Sequence, residues 1–226
     1  MFSIPLVMLP FQNLSAQKLK SSLRLSDGFQ IETFNGERDS TVHLNGQVDR
    51  WATYSSLRVL HHGRAVFVGT TDTLDYYLRS DKYPQLFRFR AGLYQLLILF
   101  ASPPGPDEVR LLGFRKDRLV EDQIIPELLG PLKDLAGDGG KESAGINYLA
   151  EEWQAGPHDT TTVTSYNPII YYKITQDGFV LDSSLTIKEN RMIYGKFYGF
   201  QIDNDHPIPV AQLGKKLERE FQRITK

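Results

Sequence analysis

The sequence contains no cysteine among its 226 residues. Disulfide bonds, thiolate metal sites and cysteine nucleophiles all need sulfur, so the absence excludes all three. It does not decide the compartment, because cytoplasmic and periplasmic proteins can both lack cysteine. The absence of cysteine therefore restricts the kinds of site that the protein can form, and the cytoplasm and the periplasm both remain alternatives.

A surplus of charge is also missing, since 26 Lys and Arg residues are balanced by 27 Asp and Glu residues, for a net charge of −1. A balanced chain creates no global field that would attract a nucleic acid or an anionic membrane surface. Binding to a nucleic acid would therefore need a local basic patch.

Long hydrophobic runs are scarce. Residues 91–101 form an eleven-residue segment that is apolar except for Gln95, whereas a helix that crosses a bilayer needs about 20 apolar residues. The apolar start, residues 1–11, lacks the basic segment of a signal peptide and is interrupted by Pro5 and Pro10. We predict no transmembrane helix and interpret the start as a strand, with a processed signal over residues 1–16 as the alternative.

The composition is typical of a folded globular chain, with 41% hydrophobic and 12% aromatic residues. A chain of this length can bury a sizeable core. We predict a single domain over residues 1–226. Residues 136–145 contain four glycines and no apolar periodicity, so this segment is interpreted as a flexible loop and a possible internal boundary.

Alternating apolar residues predict an antiparallel meander in the first third of the chain. Residues 29–34 alternate through Phe29 and Ile31 and then reach the turn dipeptide Asn35-Gly36. Alternation resumes over residues 41–54 and 56–70, where His61-His62-Gly63-Arg64 is typical of a turn between two strands. Three further strands are predicted near the C-terminus, over residues 169–175, 179–187 and 191–202.

A C-terminal amphipathic helix is predicted because apolar residues recur there at three- and four-residue intervals. These residues are Val210, Leu213, Leu217, Phe221 and Ile224. The fold class expected is therefore α+β, mainly an antiparallel sheet or meander with this helix packed on it. Weaker helical patterns cover residues 14–25, 71–79, 117–135 and 146–153, and periodicity does not decide between strand and helix for residues 91–101.

Phosphate-binding loops, dinucleotide fingerprints, nucleophile elbows and zinc-protease spacings are absent from the sequence. His61 and His62 are the best candidates for metal or proton chemistry, since imidazole ligates metals and titrates near neutral pH. Asp72 and Asp75 could complete a metal site with them if the chain folds back. This is one alternative function, a metal-dependent or acid/base enzyme centred on the His61-His62 turn.

Two groups of side chains are candidates for ligand binding. Arg79, Arg88 and Arg90 lie among aromatic residues in segment 79–90, a mixture that can bind phosphates while aromatic rings stack on bases. Binding of a nucleic acid through this segment is the second alternative. The other group could line a carbohydrate or peptide groove and consists of Tyr171, Tyr172, Tyr194 and Tyr198.

Residues 7–15, Val-Met-Leu-Pro-Phe-Gln-Asn-Leu-Ser, resemble the first strand of TolB-type N-terminal and related envelope lipoprotein domains. Residues 48–51, Val-Asp-Arg-Trp, are similar to a later strand of such domains. The resemblance covers about a dozen residues and implies a bacterial envelope location.

The function expected from these observations is that of a non-catalytic binding or assembly protein, a structural component of a cell envelope or a larger complex. Its interface would be an exposed strand edge or the tyrosine-rich face. We expect a protein partner and no cofactor, and the sequence leaves the identity of the partner and the oligomeric state open.

Overall fold

The structure is a computed structural model that divides into two compact units, Met1–Thr70 and Thr71–Lys226. The residues that it describes are 19–42, 48–70, 75–78, 82–101, 107–146, 152–154, 162–201, 206–211 and 215–226. Residues 136–145 lie inside the second unit, and the single-domain interpretation stays a prediction.

The described part of the first unit is an antiparallel meander. Its strands are β1 (Leu19–Arg24), β2 (Phe29–Val42), β3 (Val48–His61) and β4 (Arg64–Thr70), paired in chain order. His62 and Gly63 connect β3 to β4 with positive φ angles of 48° and 79°, which suit the twist of a two-residue hairpin. The predicted turn is confirmed.

The sequence predicted that the strand beginning at Phe29 ends at Asn35-Gly36, and this was wrong. Strand β2 continues to Val42, with Gly36 paired with Tyr54 and Val42 with Val48. Asn35 adopts a positive φ of 51°, a conformation that asparagine tolerates. The turn preference of Asn35-Gly36 is therefore overridden, because β3 pairs with β2 both before and after this dipeptide.

The main sheet of the second unit is also antiparallel. It contains β5 (Asp75–Tyr77), β6 (Gln85–Arg88), β7 (Leu93–Ala101), β8 (Glu108–Arg115) and β9 (Arg118–Pro126). Both β5 and β6 pair with one side of β7, β8 pairs with its other side, and β9 follows β8. Leu96 to Leu99 on β7 are fully buried, so the apolar run at residues 91–101 contains a central strand.

Two small sheets and two helices complete the second unit. Their elements are β10 (Glu142–Ile146), β11 (Glu152–Gln154), β12 (Thr162–Ser165), β13 (Ile169–Thr175), β14 (Gly178–Leu181), α1 (Ser183–Tyr194), β15 (Pro209–Ala211) and α2 (Lys215–Thr225). The strand orders are β10-β13-β14 and β11-β12-β15. The α+β class and the C-terminal helix are confirmed.

Many of the buried side chains described in the second unit belong to one of two clusters. One joins the main sheet to the β10-β13-β14 sheet through Leu97, Leu111, Ile170 and Phe179. The other lies beneath both helices and contains Leu185 of α1 and Ile224 of α2, packed with Ile169 and Tyr171 of β13. The C-terminal helix is therefore packed on a sheet, as its amphipathic pattern predicted.

The strand predicted over residues 179–187 is confirmed only at its start, which lies in β14, and helix α1 replaces the rest of it. Helix α1 also replaces the first residues of the strand predicted over 191–202, and the described residues 195–201 form neither a helix nor a strand. The Asp182 side chain accepts a hydrogen bond from the Leu185 N–H at 2.9 Å, an N-cap that satisfies a free donor of the first turn. Gly195 ends the helix with a φ of 75°, as glycine commonly does. The alternation that predicted a strand depends mainly on aromatic residues beyond Gly195, such as Phe197 and Tyr198, whereas the two caps define the helix.

The helical patterns predicted elsewhere are wrong where the structure describes them. Residues 19–24 form β1, residues 75–77 form β5, residues 118–126 form β9 and residues 152–154 form β11. Each of these segments is short or charged, and pairing with a neighbouring strand overrides its weak helical spacing. The loop predicted over 136–145 ends at β10, which begins at Glu142.

Among the described residues, none of the helices is long and apolar enough to cross a membrane.

Candidate protein-binding edge

Strand β9 is the last strand of the main sheet of the second unit. Its pairing with β8 runs from Arg118, opposite Arg115, to Pro126, opposite Glu108. In the part of the chain that the structure describes, no further strand pairs with its other side. An edge strand directs every second N–H and C=O group away from the sheet, where another extended chain can bind them.

The side chains of this edge are unusually apolar for an exposed strand. Eight large hydrophobic residues are exposed among the described residues, and three of them lie on β9. Leu119 is 38% exposed, Val120 56% and Ile124 44%. Ile125 is buried in the core, so the C-terminal end of the strand is anchored while the segment from Arg118 to Ile124 faces solvent.

A β-bulge lies within this segment. Gly113 is opposite Glu121, and Phe114 is opposite Leu119, so Val120 is an extra residue without a partner on β8. A bulge increases the local twist and redirects the side chains around it. It interrupts the ladder between Glu121 and Leu119, where pairing with β8 resumes, and Val120 is the most exposed of the three apolar residues.

An ion pair neutralises the charge of Asp122. Arg110 on β8 donates two hydrogen bonds of 2.8 Å to the two carboxylate oxygens of Asp122 and a third of 2.6 Å to the hydroxyl of Tyr76. The hydrogen bond to Asp122 is the main cause that raises the pKa of Arg110, and burial raises the pKa of Tyr76. A bidentate pair of this kind fixes both side chains on the sheet.

The other acidic residue of β9 is also held in place. Glu121 accepts hydrogen bonds from Gln95 at 2.6 Å and from Gln123 at 2.9 Å. Gln95 is buried, and its side-chain oxygen Oε1 accepts a hydrogen bond of 2.6 Å from the main-chain N–H of Phe179. Because both carboxylates are held by groups of their own sheet, the exposed apolar side chains are the main contacts that β9 offers to another chain.

The edge of the first part of β13 that β14 does not reach, in the same unit, is covered by helix α1. Strand β14 pairs with β13 only from Tyr172 onward. Before that point, Thr186 and Asn190 of α1 accept the main-chain N–H groups of Tyr171 and Ile169, each at 3.0 Å. Side chains of α1 thus accept the main-chain N–H groups at the edge of β13. On the edge of β9, by contrast, exposed apolar side chains are found.

The four tyrosines singled out in the sequence do not form one surface. Tyr171 is fully buried and Tyr172 nearly so, so their rings belong to the core and cannot line a surface groove. Tyr194 is half-buried and donates a hydrogen bond of 2.6 Å to the carbonyl of Asn167, and burial raises its pKa. Tyr198 is exposed, with its ring 5.1 Å from that of Tyr166.

The arginines of segment 79–90 already bind groups of this chain where they are described. Arg90 donates a hydrogen bond of 2.6 Å to the side chain of Gln176, and the Arg88 guanidinium lies 5.9 Å from the ring centroid of Tyr94. Arg79 lies outside the described residues. Nucleic-acid binding through this segment stays a prediction.

The histidine turn forms a stack of rings. The ring of His61 lies 4.3 Å from that of Phe29 and 4.3 Å from that of His62, and its Nε2 is 3.1 Å from the carbonyl of Asp27. Asp72 lies outside the described residues, and Asp75 begins β5. Within the described ranges, no group of three or more potential metal-ligating side chains occurs, so a metal site at His61 and His62 stays a prediction.

Sequence reasoning missed β9 because Leu119, Ile124 and Leu128 imitate helical spacing. The sequence nevertheless contained one signal for the strand, namely Asp117 in the two-residue turn that precedes it. Lys116 and Asp117 have positive φ angles of 49° and 61°, and aspartate is favoured in two-residue hairpin turns. The β-branched residues Val120, Ile124 and Ile125 also favour a strand after that turn.

Comparison of the chain with models of known protein families, with curated proteins and with solved structures found no match in any of the three.

Proposed function

We propose that this protein is a non-catalytic binding or assembly module that accepts an extended segment of a partner protein along the edge of β9. The observation that carries the proposal is the concentration of three exposed apolar side chains on one edge, along which the described part of the chain places no further strand. Strand addition of this kind combines main-chain hydrogen bonds for affinity with alternating side-chain contacts for specificity. The setting we infer is a larger complex, and the resemblance of residues 7–15 supports a cell envelope.

The architecture of β9 supports this role physically. Monomeric proteins usually protect an edge with charges, prolines or a covering element. On β9 Arg110 neutralises the charge of Asp122, and Gln95 and Gln123 hold Glu121 by hydrogen bonds, so both carboxylates are held within their own sheet. The anchored end at Ile125 holds the edge in an extended conformation and lowers the entropic cost of binding.

The test compares the partners captured by three forms of the tagged full-length protein from the cells that produce it. Val120→Lys places a charge on the edge, and Met192→Lys is the matched control because Met192 on α1 is also 56% exposed. We expect the unchanged protein and Met192→Lys to retain the same partner, and Val120→Lys to lose it, as quantified by mass spectrometry. Equal capture by all three forms would refute the role of β9.

A further inference from the structure

We infer that the segment that binds β9 is β9 of a second copy of this chain, so that the two strands pair antiparallel across a two-fold axis. This inference rests on the proposed function and names its partner. Two-fold interfaces use the same patch on both subunits, and such a patch must therefore be complementary to itself. The sequence of β9 can be tested for this property in each register.

One register satisfies the requirement. When Asp122 lies opposite Asp122 of the second copy, Val120 lies opposite Ile124 of the second copy, and this apolar contact occurs twice by symmetry. Glu121 then lies opposite Gln123 of the second copy, so a carboxylate meets an amide that can donate to it. Opposed apolar pairs and hydrogen-bonding pairs are the contacts that stabilise antiparallel strands.

The neighbouring symmetric register is worse. Centred on Glu121, it places Val120 opposite Asp122 and Leu119 opposite Gln123, and two Glu121 carboxylates meet at the axis. A charged or polar group opposite each apolar residue loses the apolar contacts that the first register makes. The pattern of β9 therefore favours the register centred on Asp122 over the one centred on Glu121.

The close approach of the two Asp122 residues is the one unfavourable contact in the preferred register. Arg110 offsets it, because its guanidinium binds both oxygens of Asp122 at 2.8 Å in each copy. Like charges directly opposite each other destabilise a pair of strands, whereas two ion pairs side by side carry no net charge. The net charge of −1 per chain also creates little repulsion between the copies.

The first experiment measures self-association of the full-length protein by sedimentation velocity over a range of concentrations. We expect the unchanged protein and Met192→Lys to form a dimer, and Val120→Lys to raise the dimer dissociation constant about tenfold, because two apolar pairs are lost. A dimer that Val120→Lys leaves unchanged would refute the inference, since it would use another surface.

The second experiment tests the register, and the cysteine-free sequence makes it simple. Val120→Cys and Ile124→Cys chains are mixed and oxidised by air with a copper catalyst. Residues opposite each other are about 4.5–5.5 Å apart at Cα, within the range of a disulfide, whereas Val120 of one copy and Val120 of the other are separated by about 13 Å along the strands. We expect covalent dimers in the mixture and not in either variant alone.

The outcomes separate the inference from the proposed function. If the protein stays monomeric at every concentration while Val120→Lys still abolishes capture of another protein, the inference fails and the proposed function stands. If the protein is monomeric and capture does not depend on Val120, both fail. Cross-linking of equal yield in the mixture and in each variant alone would also refute the register.

Discussion

At the scale of single residues, the most connected group is a set of buried charges beneath α2. Arg223 donates to both oxygens of Glu220, at 3.0 and 2.9 Å from Nε, and to the carbonyl of Leu135 at 2.7 Å. The hydroxyl of Tyr171 donates to Glu220, and Glu189 lies 3.5 Å from the guanidinium. Both carboxylates are buried. Arg223 compensates the charge of Glu220 and shares Glu189 with Lys188, whose Nζ also lies 3.5 Å from that carboxylate, and it thereby connects three elements.

Replacing this arginine should destabilise the protein more than its position near the surface suggests. We expect Arg223→Met to lower the free energy of unfolding by about 2 kcal/mol, less than the loss of a fully buried partner because the guanidinium is partly exposed. Arg219→Met is the matched control, since Arg219 is exposed on the same helix. Urea unfolding measures both, and equal midpoints for the two variants would contradict the proposed role of Arg223.

At the scale of elements, α2 is positioned by a close contact between main chains. A Cβ atom at Gly130 would lie 2.1 Å from the carbonyl oxygen of Ile224 and 3.1 Å from the Cα of Thr225. Main-chain atoms of a helix cannot move aside as a side chain can. The last turn of α2 therefore needs glycine at position 130, in addition to the apolar face that its sequence provides.

Gly130→Ala should accordingly displace the end of α2, with an expected loss of about 3 kcal/mol of unfolding free energy from overpacking. Gly137→Ala serves as the comparison. Gly137 has a positive φ of 78° and open space around the added carbon, so it costs only backbone strain, of about 1 kcal/mol. Thermal unfolding followed by circular dichroism should rank the variants in this order, and the reverse order would show that α2 tolerates displacement.

At the scale of the whole molecule, the second unit depends on buried tyrosine hydroxyls. Burial is the largest cause that raises the pKa of six of them, Tyr76, Tyr83, Tyr166, Tyr171, Tyr172 and Tyr194. For Tyr166 the pKa rises from 10.0 to about 12. The folded state therefore holds these protons at a pH where an unfolded chain releases them.

The sign of the resulting pH dependence follows from proton linkage. A raised pKa contributes stability that is fully present below pH 10, the ordinary value, and is lost as the pH rises towards about 12, the folded-state value of Tyr166. We expect alkaline unfolding in this window, with tyrosinate absorbance and loss of circular dichroism in one coincident transition. Tyrosinate that forms well before the structure is lost would contradict the burial of these rings.

Local patterns allowed part of this fold to be predicted from sequence. The His61-His62-Gly63-Arg64 turn and helix α2 were recognised because each depends on interactions within a few neighbouring residues, a tight turn in one case and an apolar stripe in the other. Strand β9 and helix α1 were misassigned, because Leu119, Ile124 and Leu128 resemble helical spacing, while the alternating apolar residues that begin at Met192 and Tyr194 and continue beyond α1 resemble a strand. The candidate site was missed for the same reason.

The sequence by itself excluded disulfide bonds and thiolate sites, because a chain without cysteine cannot form them in any fold. It also determined the α+β class, because hydrophobic periodicity depends only on residue order. The tertiary structure alone decided that Tyr171 is buried while Val120 is exposed. Exposure depends on which strands pair and which edge is left over, and those contacts join residues that are far apart in the chain.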